Sequence, residues 1–206
     1  MKENGYIIIL SLKLMGGNEM FQLKINEDIM LRMLSARDAK QLFEITDRSR
    51  SHLKKWLPWL NDTVSEADSL SFIKNSFIPY QNRKGLTAGV FYRKKLVGVV
   101  GYNSIDLKNR IGTVGYWLDI HQTGKGIMSH SVKALVNYGF TELNLNRIEI
   151  RCAVGNIASR AIPERLEFVQ EGILREVEWL YHHFVDHVIY SMLQKDWKST
   201  HYPQSN

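Results

Sequence analysis

One stretch constrains this chain more than any other: Tyr116 to Phe140, YWLDIHQTGKGIMSHSVKALVNYGF. The residues leading into it, Thr113-Val114-Gly115-Tyr116-Trp117-Leu118, are rich in β-branched and aromatic side chains. They predict a strand that ends at the polar Asp119. Beyond a turn holding Gly124 and Gly126, the residues Ile127, Val132, Leu135, Val136 and Phe140 recur near the 3.6-residue period. They predict a long helix, with Lys133 and Asn137 lying between them. A glycine-containing turn that opens a helix leaves backbone N–H groups unpartnered at the positive end of the macrodipole. Such a turn suits an anion, most often a phosphate, and Lys125 adds a charge. Glycine spacing alone leaves a second reading open, because βα turns also use glycines for steric reasons.

A strand–turn–helix unit needs a sheet to pack on, and 206 residues suit one α/β domain. With 44% hydrophobic and 23% charged residues, the composition supplies a sizeable core. A net charge of +6 permits an acidic partner, such as a phosphorylated cofactor, an acidic protein or RNA, and requires none. Arg93-Lys94-Lys95 sits between two strand-like segments and reads as a hairpin turn. The single cysteine, Cys152, excludes an internal disulfide and fits a reducing, cytoplasmic setting. The apolar runs fall short of membrane-spanning length.

The N-terminus reads separately. Residues 6–12 follow Lys2 and resemble the apolar part of a signal segment, but the run is short and no small-residue cleavage site follows. In Met15-Gly16-Gly17-Asn18-Glu19-Met20, the Gly-Gly codons can spell a purine-rich ribosome-binding sequence before a start at Met20. Residues 1–19 are therefore expected to be a translated leader or disordered extension, an extra N-terminal strand being the alternative. The domain covers 20–197, with a frayed tail over 198–206.

Along that domain, Phe21 to Leu34 alternates around an Asn26-Glu27-Asp28 turn, and Ser35 with Asp38 marks a capping-box-like helix start. Trp56 and Trp59 flank Pro58, so they cannot lie inside one continuous helix. They read as a loop or helix end, either plugging the core or lining a substrate groove. A helix over 66–83 follows, then strands over 86–92, 96–104 and 111–118, the central helix, a strand over 147–154 and a short helix over 156–166. An antiparallel pair over 168–179 and 184–193 closes the chain. The pattern predicts one mixed α/β sheet of about seven strands flanked by about four helices.

In order and spacing, several fragments together resemble the GNAT acetyltransferases, in particular the branch acting on the N-terminal α-amines of ribosomal proteins. They are Trp56-Leu57-Pro58-Trp59, Gly115-Tyr116-Trp117-Leu118, Gly124-Lys125-Gly126-Ile127, Asn156 with Ser159, the run 163–168 and the run 186–190. The resemblance spans Met20 to Trp197. It departs at Thr123, where the family usually has Gln or Arg, and at Glu167, where it usually has Gly.

The resemblance implies that strands 111–118 and 147–154 splay apart to hold the pantetheine arm of acetyl-CoA. Trp117, Leu118 and Asp119 would pair with it through backbone groups, as an added strand does. The pyrophosphate would lie against Thr123, Gly124, Lys125, Gly126, Ile127 and Met128, with Asn156 also on the cofactor. No metal is required. Dinucleotide and P-loop fingerprints fit worse, since the third G-x-G-x-x-G position is Ser129. Direct attack of a neutral amine on the thioester would use Ser159 as proton donor to the thiolate and Glu178 as base or amine-orienting carboxylate. Ser159 could instead cap its helix, and Glu178 could be a solvated strand residue. Trp56, Trp59 and Tyr190 make up the expected acceptor side, Tyr190 with its hydroxyl paired. Cys152 reads as a buried filler rather than a nucleophile. His182, His183, Asp186 and His187 alternate across a strand and do not converge on a metal.

The acceptor suggested by the resemblance is a protein N-terminus; a polyamine, an aminoglycoside or another small amine is the alternative within the same chemistry. A non-catalytic coenzyme A-binding or ribosome-associated module is the alternative outside it. No membrane partner and no nucleic acid are required, and a homodimer is allowed.

Overall fold

The computed structural model describes residues 8–9, 12–13 and 19–201, with side chains from 20 to 197. Most of the expected leader and the end of the expected tail lie outside the described residues. Eight strands form one mixed sheet. They are β1 (Gln22–Lys24), β2 (Ile29–Met33), β3 (Leu86–Tyr92), β4 (Lys95–Asp106), β5 (Ile111–Leu118), β6 (Arg147–Ala153), β7 (Val169–Leu180) and β8 (His183–Leu193). Their order is β1-β2-β3-β4-β5-β6-β8-β7, and the two-residue stretch Ile8–Ile9 pairs along β1. A separate two-residue pairing joins Leu12–Lys13 to Glu19–Met20. The described helices are α1 (Ala39–Arg48), α2 (Arg50–Leu53), α3 (Glu66–Gln81), α4 (Ile127–Thr141), α5 (Ile157–Arg165) and α6 (Gln194–His201). The mixed sheet is as read from the sequence, with one strand more and two short helices more.

Every neighbouring pair in the sheet is antiparallel except β5 and β6. Joining two parallel strands requires a crossover, and α4 supplies it. Its stripe of Ile127, Val132, Leu135, Val136 and Phe140 is buried against the sheet. Gly139 is where α4 comes closest: a Cβ there would stand 2.0 Å from the Tyr102 hydroxyl, which donates to the Leu135 carbonyl at 2.9 Å. On the opposite face α1 and α3 bury Leu42, Ile45 and Ile73 against Phe91, Leu96 and Val99.

The β5–β6 ladder runs from Ile111↔Arg147 only to Val114↔Ile150. Beyond it each strand keeps its other neighbour: β5 pairs with β4 as far as Leu118↔Gly98, and β6 with β8 as far as Ala153↔His187. The inner edges therefore diverge, leaving backbone groups of Tyr116 to Leu118 facing a gap.

Edge strand β7 is tied in by charge. Arg147 on β6 reaches Glu171 at 2.7 Å and Glu149 at 2.8 Å, and Ser191 donates to Glu171 at 2.6 Å. Arg147 and then Ser191 push the Glu171 carboxyl down to about 2. Burial raises Glu149, but hydrogen bonds from Arg147 and Arg151 leave it below its ordinary value. Carboxylates depressed on folding stabilise above their unfolded pKa, and that stability disappears as pH falls through the folded value. Thermal denaturation between about pH 4.5 and pH 2 is expected to show a falling midpoint, shallower in Glu171→Gln.

Candidate active site

The turn after β5 is built from a buried carboxylate. Asp119 caps the short turn Ile120–Gln122, accepting from the His121 N–H at 3.2 Å, and is fully buried. Arg48 at the end of α1 donates to it through Nε at 3.0 Å and through Nη2, and Ser49 Oγ donates at 3.2 Å. Burial raises the Asp119 carboxyl, but Arg48, the His121 N–H and Ser49 together hold it below the ordinary range. This latch fixes where the following loop starts. Asp119→Asn removes the charge from it and is expected to cost about 2 kcal/mol in denaturant unfolding, together with a raised KM for the ligand of the loop.

Beyond the latch, Gly124 and Gly126 sit at φ +76° and +73°, and Gly126 is the N-cap of α4. Left-handed backbone at alternate positions points successive N–H groups one way. From Gly124 to Ser129 none of these N–H groups has an acceptor among the described residues. A Cβ on Gly124 would meet nothing within 4 Å, so it faces an open cradle.

The cradle opens into a cleft of about 710 Å³ between α4 and α5, beside the end of β5. Trp117, Leu118, Thr123, Gly124, Gly126, Ile127, Met128 and Asn156, all expected on the cofactor, line it. Asp119 and the Lys125 side chain do not, while the Lys125 N–H stays in the cradle. The Asp119 N–H is taken by the Val97 carbonyl at 2.8 Å and its carboxylate by the latch, so it positions the loop from behind. Lys125 folds back onto its own turn, donating to His121 O at 3.0 Å and Gln122 Oε1 at 2.8 Å.

Helix α5 forms the other wall. Asn156 Oδ1 accepts from the Ser159 N–H at 3.2 Å, so Asn156 is the cap and the Ser159 hydroxyl is not needed for capping. Pro163, four residues on, has no N–H to give the Ser159 carbonyl. The Tyr116 hydroxyl from β5 fills that place at 2.9 Å, bridging the splay. Burial, and next the neighbouring Cys152, push Tyr116 well above its ordinary value, so it stays a neutral donor. Ser159 Oγ lies 3.2 Å from Cys152 Sγ. Burial raises the Cys152 thiol, consistent with a filler rather than a nucleophile.

A second cleft, of about 630 Å³, opens on the other side of the sheet under α1 and α3. Trp56 and Trp59 stand in its wall, both half-buried, and Trp59 packs on Trp117 with ring centroids 6.1 Å apart. The tryptophans thus line a groove rather than plug the core. Asn103, Glu178 and His187 supply polar groups, with His187 Nε2 3.3 Å from Glu178 Oε2. Tyr190 is absent from both clefts. It faces α5, 1% exposed, accepting from Arg160 at 3.0 Å and donating to Glu164 at 2.6 Å. Its expected place on the acceptor side is therefore wrong, because its register opposite Ile150 turns it to the core. Among the described residues no group of three or more His, Cys, Asp or Glu could hold a metal.

The two clefts share a wall: Trp56, Leu57, Tyr116, Trp117, Asn156 and Ser159 border both. Sequence reading missed His187 as a partner of Glu178. The hairpin register could have found it, since Glu178 pairs with Val185 and His187 lies two residues further on the same face.

Comparison with known proteins decides the family. Residues 28–169 match the family model described as an acetyltransferase (GNAT) domain. The chain is a GNAT acetyltransferase. Bacillus subtilis YdaF, named a ribosomal N-acetyltransferase by inference, is 37% identical over 187 residues, 87% of this chain and 98% of that protein. The microcin C7 self-immunity acetyltransferase MccE, solved with acetyl-CoA and AMP, is 33% identical. It aligns at TM-score 0.79 over 82% of this chain and 93% of its own. An acetyltransferase from Salmonella typhimurium, described as modifying the N-terminal serine of ribosomal protein L7/L12, is 25% identical. Its TM-score is 0.77, over 84% of this chain and 98% of its own.

The acetyltransferase uses acetyl-CoA as its acetyl donor, and its residues fit that molecule. The splayed edge suits an extended amide arm, the free N–H cradle suits a pyrophosphate, and no carboxylate lines the cleft to repel it. No helix among the described residues is long and apolar enough to cross a membrane.

Proposed function

We propose that this N-acetyltransferase acetylates the N-terminal α-amine of a protein, most plainly a ribosomal protein, with Ser159 and Glu178 as its proton-handling groups. The observation that carries the reading is the shared wall. One cleft suits an anionic, amide-bearing donor, the other a chain end, and they meet at Ser159. Acetyl-CoA brings an activated acetyl thioester. Backbone groups of Tyr116 to Leu118 align its amide arm, and the N–H groups of Gly124 to Met128 neutralise its pyrophosphate.

Ser159 Oγ, beside Cys152 and with its helix already capped by Asn156, is placed to give a proton to the departing thiolate. Glu178, steadied by His187, takes the amine proton directly or through water. An α-amine with a pKa near 8 needs only a modest base, unlike a lysine near 10.4. Among the described residues, Asp62 and Glu178 are the carboxylates lining the acceptor cleft, which matches one ammonium group better than the several of a polyamine. The names of the Bacillus and Salmonella relatives point the same way.

Mass spectrometry of ribosomal proteins from the native host, with and without this gene, tests the reading. Loss of one acetyl group, about 42 Da, from one N-terminus is the expected result. Unchanged N-termini, together with robust turnover of spermidine by the purified enzyme, would overturn it.

A further inference from the structure

The cofactor cleft continues past the pyrophosphate cradle to an outer end that has its own charge. Ser129 and Lys133 lie three and seven residues after Gly126, on one face of α4. Seven residues span about 10 Å of helix, and helical side chains lean back toward the N-terminus, which shortens the reach to the cradle. From α5, Arg165 crosses to meet them, its Nη1 2.8 Å from Ser129 Oγ. His130 stands beside them with Nδ1 on the Gly126 carbonyl at 2.8 Å, leaving Nε2 directed away from the helix.

This end holds cations and, among the described residues, no acid. Arg32, Arg48, Arg50, Arg147, Arg151 and Arg160 each have a carboxylate within 3.4 Å. Arg165 has a neutral hydroxyl instead, and Lys133 forms no ion pair among the described residues. Among the described residues, no Asp or Glu lines the cleft. Two cations lining one cleft that carries no acid among the described residues are arranged for a second anion.

We propose that Arg165 and Lys133, with the Ser129 hydroxyl, form the site for the 3′-phosphate of coenzyme A. The inference rests on the placement of the pyrophosphate at Gly124–Met128 proposed above. The coenzyme carries two separate phosphate groups, and the cradle takes only one. Arg165 offers a planar fork of donors and Lys133 a mobile point charge, which together match a dianion. Ser129 holds the guanidinium at the rim through its hydroxyl.

Titration calorimetry with coenzyme A and with 3′-dephospho-coenzyme A tests this on the intact protein without any acceptor. Wild type is expected to bind coenzyme A tens of times more tightly than the dephospho form. Arg165→Ala and Lys133→Ala are each expected to weaken coenzyme A binding about ten-fold while leaving dephospho-coenzyme A within about two-fold. Arg165→Lys should recover part of the loss. Equal weakening toward both ligands, or a wild type that does not distinguish them, would overturn the subsite and leave the cradle standing. A cradle variant, Gly126→Val, separates the two readings: if it binds both ligands as wild type does, the pyrophosphate placement itself is wrong.

Discussion

Ser159→Ala is expected to lower kcat for acetyl transfer by about 10²-fold while the Kd for acetyl-CoA stays within about two-fold. The substitution removes one atom and little else. The Asn156 cap bonds the Ser159 backbone N–H, and Tyr116 bonds its backbone carbonyl, so both ties of α5 survive the loss of Oγ. What disappears, among the described residues, is the one side-chain hydroxyl on the shared wall besides the Tyr116 phenol, which is engaged and held far above its ordinary pKa. Rapid-quench measurement of thiol release at saturating acetyl-CoA is the check. A chemical step as fast as wild type would remove Ser159 from the proposed proton path, whatever the acceptor proves to be. Glu178→Gln should show the complementary effect, a loss that shrinks as pH rises and the amine deprotonates unaided.

Gly126→Val is expected to raise the Kd for acetyl-CoA by more than about ten-fold and to lower Tm by several degrees. At φ +73° a β-branched residue is strained, and its Cβ would stand 3.4 Å from the His130 ring. The chain would relax by rotating the peptide, and the N–H groups of the cradle would no longer converge. Gly124→Ala makes an informative companion. Its added methyl meets no protein atom within 4 Å, so the cost beyond backbone strain falls on whatever occupies the cradle. Isothermal titration of both variants, with Tm from calorimetry, separates a loss of ligand from a loss of fold. Unchanged Kd in Gly126→Val would mean that the pyrophosphate does not rest on this turn.

Much of this architecture was legible from the chain. The period-2 and period-3.6 patterns marked the strands and α4, and the two glycines marked the cradle, because each signal comes from local backbone geometry. The resemblance then gave the splay its purpose. Three placements were not legible, because what a residue bonds to is settled only once its neighbours are packed. Asp119 turned inward because Arg48 and Ser49, seventy residues earlier, reach it. Lys125 turned back because carbonyl and amide oxygens of its own turn were nearer than the cleft. Tyr190 faced the core because register with β6 fixed its side. The Tyr116 bond to the carbonyl orphaned by Pro163 was equally hidden, since neither residue implies the other until the strand and helix are packed.

The wall common to both clefts has a consequence for how this enzyme must be measured. Trp56, Leu57, Tyr116, Trp117, Asn156 and Ser159 each border both clefts, and so both proposed substrates. A substitution that reshapes this wall is expected to move both Michaelis constants, and a titration of one substrate at a single fixed level of the other will assign the damage to whichever was varied. Only a full two-substrate grid, with interaction and individual constants fitted together, can apportion it.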